Sequence, residues 1–468
     1  MKKSIWGLII LIIISGWLSA DPLVLTIDKA VKLALENNLG LKSSRIDVEM
    51  KKRASDLSWN RFIPTVQASG TMMRWNNEKL GSALTGFGTE SVIPGVGTAY
   101  SDVLSVGYNL PRWGLSAGLD FSLNLSYALF KEIEGTRVDY DAGLISYETA
   151  LKQLERDVRK NFYNILVFEE NLSLMEQNLK AAGERYEQAI INYSNGLVPE
   201  LSKLSAQVGY ENLKPALSEM KLGYATMLDG FKMLLGLGLS KDIDLEGTIS
   251  VDPVKLNTQK LTETFLPRRL DMQKMENSIQ SLKIQRSALK LRTMTPMLIL
   301  GWNVDPSYSL DPWENNWFEN MKDNWNQQSG MLRITLAMSL DSLLPWSSAQ
   351  AGIKDMGDGI RKMEIGFSQA RTAAEMEIKS LVMQLNKSMA QLETLDLNVS
   401  LAEKAYNMSR EAYNAGSKEL LEVEDSERDL SNAKLEVLKE KYKYNTGILD
   451  LEYALNASLK EIEESSNE

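Results

Sequence analysis

Residues 115–125 read LSAGLDFSLNL, a stretch that alternates without a break. Leu115, Ala117, Leu119, Phe121, Leu123 and Leu125 are apolar, while Ser116, Gly118, Asp120, Ser122 and Asn124 between them are small or polar. A period of two marks an extended strand whose successive side chains take opposite faces. Most of the remaining chain is Leu, Ala, Glu and Lys at helical spacing, so one two-faced strand within it demands a reason.

The same plan recurs half a chain later. Helical pattern runs into Pro64 (RFIPTVQASG) and again into Pro296 (RTMTPMLILG). A proline pushes the residue before it toward extended backbone, so each marks a helix-to-strand switch. After each come a short extended stretch, a long loop rich in aromatic residues, Gly and Pro (76–114 and 305–330), and a second alternating stretch (115–127 and 331–340). In the last of these Leu332, Ile334, Leu336, Met338 and Leu340 oppose Arg333, Thr335, Ala337 and Ser339. Strands are predicted at about 64–75, 115–128, 296–304 and 331–341. The first sets Val66, Ala68, Gly70 and Met72 against Thr65, Gln67, Ser69 and Thr71, whereas 297–304 is too uniformly apolar for its faces to be read.

Each alternating stretch leads into a very long helical run, broken only near YSNG (193–196) and YNAG (413–416), and a second run follows to about Leu235 and Leu455. A continuous helix from about Gln350 to Tyr413 would measure roughly 95 Å at about 1.5 Å per residue, too long for a compact domain. Leu392, Val399, Tyr406 and Tyr413 recur every seven residues with Leu395, Ala402 and Ser409 between them, and the return run has Val423, Leu430, Val437, Tyr444 and Leu451. Heptads call for supercoiled pairs, and Gly196 and Gly416 stand where a helix ends and reverses, so two antiparallel hairpins are predicted. On the helices alone an ordinary soluble bundle is the simpler reading.

The strands shift that balance. At about ten to thirteen residues they match the roughly 9–11 that a tilted strand needs to cross the outer membrane. Four strands are too few to close a barrel, and the chain offers no further strands to cover them, so other copies must supply the rest. Trp75, Trp113, Trp302, Trp313, Trp317 and Trp325 lie at strand ends or in the loops between, with Trp59 and Trp346 at the helix-proximal ends. That placement fits aromatic girdles at two membrane interfaces; a local core packed by loop tryptophans is the rival reading.

Composition removes most other functions. The 468 residues contain no Cys and no His, which excludes disulfides, thiol nucleophiles, histidine bases and most transition-metal sites. No enzymatic activity, cofactor or metal is expected, and no pair of carboxylates stands out from helix-surface charge as a hydrolase would require. A net charge of -10 leaves no basic face for nucleic acid. At the N-terminus Lys2 and Lys3 precede an apolar run, Ile5 to Ile14, and then Leu18-Ser19-Ala20, the pattern of a cleavable export signal ending at Ala20. With no Cys at the cut, a lipid-modified N-terminus is excluded.

The opening LTIDKAVKLALENNLGLKSSRIDVEMKKRASDLSWNRFIPTVQASG, the duplicated order of helix, Pro, strand pair and long helix, and the turns YSNGLVPEL and YNAGSKELLEVEDSERDLSNAK together resemble the TolC-like outer membrane efflux protein family over essentially the whole mature chain. The resemblance implies a mainly α fold with membrane β. Three identical chains would build a twelve-stranded outer membrane β-barrel continued by a periplasmic coiled-coil tunnel of twelve helices. On that plan 1–20 is the signal peptide, 21–236 and 263–456 are the two repeats, and 237–262 with the tail 457–468 forms an irregular equatorial belt. The implied function is a passive exit duct for a tripartite efflux or type I secretion system. It would dock to a periplasmic adaptor, or membrane fusion protein, and an inner-membrane transporter, in the outer membrane of a diderm bacterium. The alternative is a periplasmic coiled-coil adaptor or structural protein, although an adaptor should carry one hairpin flanked by Gly-rich β domains.

The resemblance also implies site residues. Gly196, Leu197 and Val198 at the first tip, with Gly416 and Ser417 at the second, match the adaptor-contact turns. Glu422 and Asp425 match two acidic residues that ring the closed entrance; their i, i+3 spacing puts them on one helix face. A charge run including Glu424, Glu427 and Asp429 is otherwise just a solvated face. Tyr413 and Lys418 match positions that latch the entrance to an acidic residue of the first hairpin. Here Ser202 stands at that position, so either Glu200, two residues earlier, substitutes or closure rests on other contacts.

Overall fold

The structure, a computed structural model, describes residues 23–74, 113–309, 325–326, 330–415 and 417–467. The predicted signal peptide, most of both long loops and Gly416 lie outside them. The first half contains β1 (Leu23–Leu25), α1 (Ile27–Asn37), α2 (Leu39–Asp56), β2 (Thr65–Arg74), β3 (Trp113–Leu125), α3 (Ala128–Ser194) and α4 (Glu200–Leu234). The linker adds β4 (Ile243–Leu245) and α5 (Thr258–Phe265). The second half contains α6 (Leu270–Met294), β5 (Met297–Val304), β6 (Ser307–Ser309), β7 (Trp325–Asn326), β8 (Met331–Ala337), α7 (Ser348–Asn414), α8 (Leu420–Leu455) and α9 (Leu459–Asn467).

The duplication is regular in its helices. Helices α3 and α7 each contain 67 residues, and α7 begins and ends 220 positions after α3 (128 to 348, 194 to 414). Each spans about 100 Å at about 1.5 Å per residue. Their return helices α4 and α8 hold 35 and 36 residues.

The chain divides into two compact units. One comprises Lys52–Asp139 and Gln280–Arg361 and contains the sheet. Its main strands run in the order β2-β3-β5-β8, every neighbouring pair antiparallel. Register assigns the faces that sequence left open in β5. Phe121 opposes Trp302, which opposes Leu332; Leu123 opposes Leu300, which opposes Ile334. One face therefore gathers Val66, Met72, Leu119, Phe121, Leu300, Trp302 and Ile334, with the Phe121 and Trp302 rings stacked at 4.8 Å. The opposite face carries Gln67, Asp120, Asn303 and Arg333, and Thr65 bonds Ser122 through their hydroxyls at 2.8 Å.

Among the described residues nothing covers this apolar face: Leu332, Ile334 and Leu336 are 70%, 68% and 71% exposed. Strand β8 ends at Ala337, short of the predicted 341, because Asp341–Leu343 winds into a 3-10 turn. Strand β5 is continued beyond 304 by β6, after a break at Pro306, whose carbonyl accepts from Ala117 N at 3.0 Å. At the base of the sheet Glu132, in the first turns of α3, receives Arg61 Nη1 at 2.6 Å and also Arg292. Those arginines precede Pro64 and Pro296, so one carboxylate ties both helix-to-strand switches.

The other unit, built from residues up to Lys51, Tyr140–Ile279 and from Lys362, holds two cores related by the same 220-residue displacement. Val158, Phe162, Ile165 and Leu235 pack with α1 and β4 in one; Ile378, Val382, Leu385 and Leu455 pack with α5 and α9 in the other. The heptad seam of the return helix is inside: Val423, Leu430, Val437, Tyr444 and Leu451 are all buried. The linker and tail are more ordered than an irregular belt. β4 pairs in parallel with β1, the buried Tyr444 hydroxyl donates to Asp252 O at 3.1 Å, and the tail folds as α9 with Ile462 buried. Alternating Ile243 and Leu245, both buried, give the linker enough apolar surface to order it.

Both return helices end alike. Gly236 (φ 69°) and Asn456 (φ 49°) adopt left-handed backbone, and the next N–H closes back onto the helix, Leu237 to Lys232 O and Ala457 to Glu452 O. Just beyond, Asn38 joins two helix ends. Its Nδ2 donates to Leu234 O at 2.9 Å and its Oδ1 accepts from Leu41 N at 3.0 Å, so one amide serves an orphan carbonyl of α4 and an orphan N–H of α2. Asn38→Ala should cost about 1–2 kcal/mol, seen as a lower midpoint in thermal unfolding followed by helical circular dichroism.

Candidate functional site

The candidate site is at the hairpin tips. At the end of α3, Gly196 N donates to Tyr193 O and Leu197 N to Asn192 O, both at 2.9 Å, the paired closure of a Schellman turn. Gly196 has φ 70°, which a side chain would strain, and open space surrounds its Cα. The second tip repeats the long bond, Ser417 N to Ala412 O at 2.9 Å; Gly416 lies outside the described residues. Leu197 is 72% exposed, Leu201 just past the first tip is equally bare, and Val198 between them is half-buried.

The two acidic positions do not stand as free charges within one protomer. Lys418 Nζ meets Glu422 Oε2 at 2.6 Å, and Arg428 Nη2 meets Asp425 Oδ1 at 2.6 Å, each pair along one helix end. The three latch residues are not brought together. Lys418 is engaged with Glu422, Glu200 pairs with Lys203 at 3.4 Å, and Tyr413 is half-buried in the last turn of α7. Lys203 also caps the Tyr193 ring at 4.5 Å.

The link between hairpins near the tips is elsewhere. Arg185 Nη1 of α3 meets Glu427 Oε2 of α8 at 2.6 Å, with both side chains about 85% buried (16% and 15% exposed). One helical turn or two away, Asn178 Nδ2 donates to Ser431 Oγ at 3.1 Å. Burial pushes the Glu427 carboxyl up against the opposing pull of Arg185, and burial likewise raises Glu424. Glu424 and Glu427 border a crevice of about 250 Å³ between α3, α4 and α8, with the Glu424 carboxylate beside Gly209 of α4. Sequence reasoning passed over these residues as a charge run. The signal was their phase: Glu427 lies four after Val423 and three before Leu430, and Arg185 lies between the buried Ala182 and Ala189, so both occupy seam positions normally apolar.

Among the described residues no group of carboxylates is placed to hold a metal ion. Among the same described residues no helix is long and apolar enough to cross a membrane.

Uncovered sheet and long hairpins define the fold class of outer membrane efflux channels. Residues 30–237 match the family model described as outer membrane efflux protein. No curated protein sequence matches. In fold the chain is similar to the Campylobacter jejuni CmeC outer membrane channel (TM-score 0.70, 15% identity, 94% of this chain and 89% of that one). It is also similar to CusC (0.68, 16%, 92% of each chain) and to the open state of the Neisseria gonorrhoeae MtrE outer membrane channel (0.67, 16%, 92% and 89%).

Proposed function

We infer that the protein is an outer membrane channel forming the passive exit duct of an efflux assembly. The observation that carries this reading is the register-matched sheet: one continuous apolar face without cover, and two outer strands, β2 and β8, each paired on one side only among the described residues. Three successive antiparallel steps leave β2 and β8 running in opposite directions, so β8 of one copy can pair antiparallel with β2 of the next. Closure by three copies satisfies every strand edge and turns the apolar face to lipid, with Asp120 and Arg333 toward water. The hairpins of repeats 21–236 and 263–456 are proposed to supply the periplasmic tunnel.

Docking to a periplasmic adaptor through Gly196, Leu197, Val198, Gly416 and Ser417, and through it to an inner-membrane transporter, is part of this proposal. So is export by a cleavable signal to the outer membrane of a diderm cell. Cell fractionation tests it: the mature protein should remain in the outer membrane as a detergent-resistant trimer, and recovery with soluble periplasmic contents overturns the reading.

Glu422 and Asp425 are proposed as the charged ring of the entrance, muted by Lys418 and Arg428. Removing the carboxylates (E422Q/D425N) should lower cation preference in planar bilayers, and removing their partners (K418Q/R428Q) should raise it. Identical selectivity in both double variants would discard the ring.

A further inference from the structure

The crevice between α3, α4 and α8 presents two carboxylates to one guanidinium. Glu424 and Glu427 are three apart on α8, hence on one face, and Arg185 of α3 reaches Glu427 through Nη1. Arg185 Nε is buried and finds no hydrogen-bond partner among the described residues. Helix α4 contributes Ala206, Gly209 and Leu213 to the crevice and no charge; α8 adds Arg428, which is held by Asp425. On the other side of Glu427, α7 brings Tyr406, and Lys434 of α8 borders the same wall.

We propose that Arg185, Glu427 and Glu424 form a proton-responsive fastening between the two hairpins just inside the tips, with protonation of Glu424 favouring the fastened state. The proposal adds a regulation to the entrance assigned above and rests on that reading for its consequence in transport.

With both carboxylates ionised, the half-buried cluster carries one uncompensated negative charge. A single proton neutralises it while leaving the Arg185–Glu427 pair intact. The two carboxylates titrate as a coupled pair, so the proton belongs to the cluster and Glu424, lacking the direct ion pair, is its main seat. The sign follows from linkage. Burial raises both carboxyls above their ordinary value of 4.5 in the packed state, whereas separated hairpins would hydrate them and restore that value. Between the ordinary and the raised value the packed state holds a proton that the separated state releases. Packing is therefore favoured as pH falls through that window and is weakened above it.

The absence of native cysteine allows labels to be placed only where wanted. Spin labels at L197C and S417C, in full-length trimers diluted with unlabelled chains, report the distance between the two tips by pulsed electron resonance. From about pH 8 to about pH 5 the short-distance population should grow in the otherwise wild-type protein. E424Q should hold that population high at both pH values and shrink the pH response to the part that Glu427 carries; R185Q should reduce the population at both. A wild-type distribution that ignores pH, or an E424Q response equal to wild type, overturns the fastening. Because the readout needs no ion flow, a pH-responsive tip in a protein that conducts nothing in bilayers would support the fastening and defeat the channel reading, and a conducting protein with unresponsive tips would do the reverse.

Discussion

Ile334→Arg is expected to abolish recovery of assembled trimer from the outer membrane, while Thr335→Arg, one residue further along β8, leaves assembly near normal. Ile334 opposes Leu300 on the uncovered apolar face, and Thr335 opposes Ile299 on the other. Arginine on the lipid side near the membrane midplane costs roughly 2–4 kcal/mol per copy, and closure repeats the cost in every copy. On the water-filled side the same side chain keeps its hydration. Heat-stable trimer on a gel of outer membrane fractions measures the difference. Equal recovery of the two variants would mean that the faces are wrongly assigned, and with them the barrel.

The second large effect is expected at the first core of the hairpin unit. Phe162 is 2% exposed, lies 6.3 Å from the Phe231 ring centroid and meets Tyr163 edge-on. Gly247 of the linker approaches so closely that an added Cβ would sit 3.3 Å from the Phe162 ring. Phe162→Ala removes the ring that α3, α4 and the linker share, at a cost of about 3–5 kcal/mol. Faster unfolding in guanidinium, followed by helical circular dichroism, is the expected result. The displaced counterpart Val382→Ala should unfold less readily than Phe162→Ala, since it deletes a smaller buried group; the opposite order would show that the two cores are not energetically parallel.

What could be read in the sequence was what repeats locally. The alternation in LSAGLDFSLNL, the two proline switches and the heptads each follow from one element's own contacts with water or with a neighbouring helix, so pattern alone exposed them. The faces of β5 could not be read that way, because Met297–Leu300 is apolar on both sides; only pairing with Asn124 and Leu123 of β3 decides them. The tip chemistry was legible only in part. The turn at Gly196 follows from local backbone, whereas the latch depends on which cation reaches which carboxylate. Lys418 and Lys203 each have an acidic neighbour three or four residues away on their own helix end, which outcompetes a more distant partner. Arg185 and Glu427, 242 positions apart (185 to 427), meet only once both hairpins are folded.

The equal lengths of α3 and α7 have a consequence for symmetry. In the proposed ring of three chains, hairpins whose long helices match over 67 positions would approximate six-fold symmetry, so a collar gripping the ring's end would meet six arms of one length but two chemistries. Both arms carry a bare leucine just past the turn, Leu201 and Leu421, and an ion pair, Glu200 with Lys203 and Lys418 with Glu422, but the bare Leu197 of the first turn has Ser417 as its counterpart in the second. A partner of true six-fold symmetry would meet leucine in half its sockets and a serine hydroxyl in the other half at that one position, and a partner arranged as three pairs could satisfy every one.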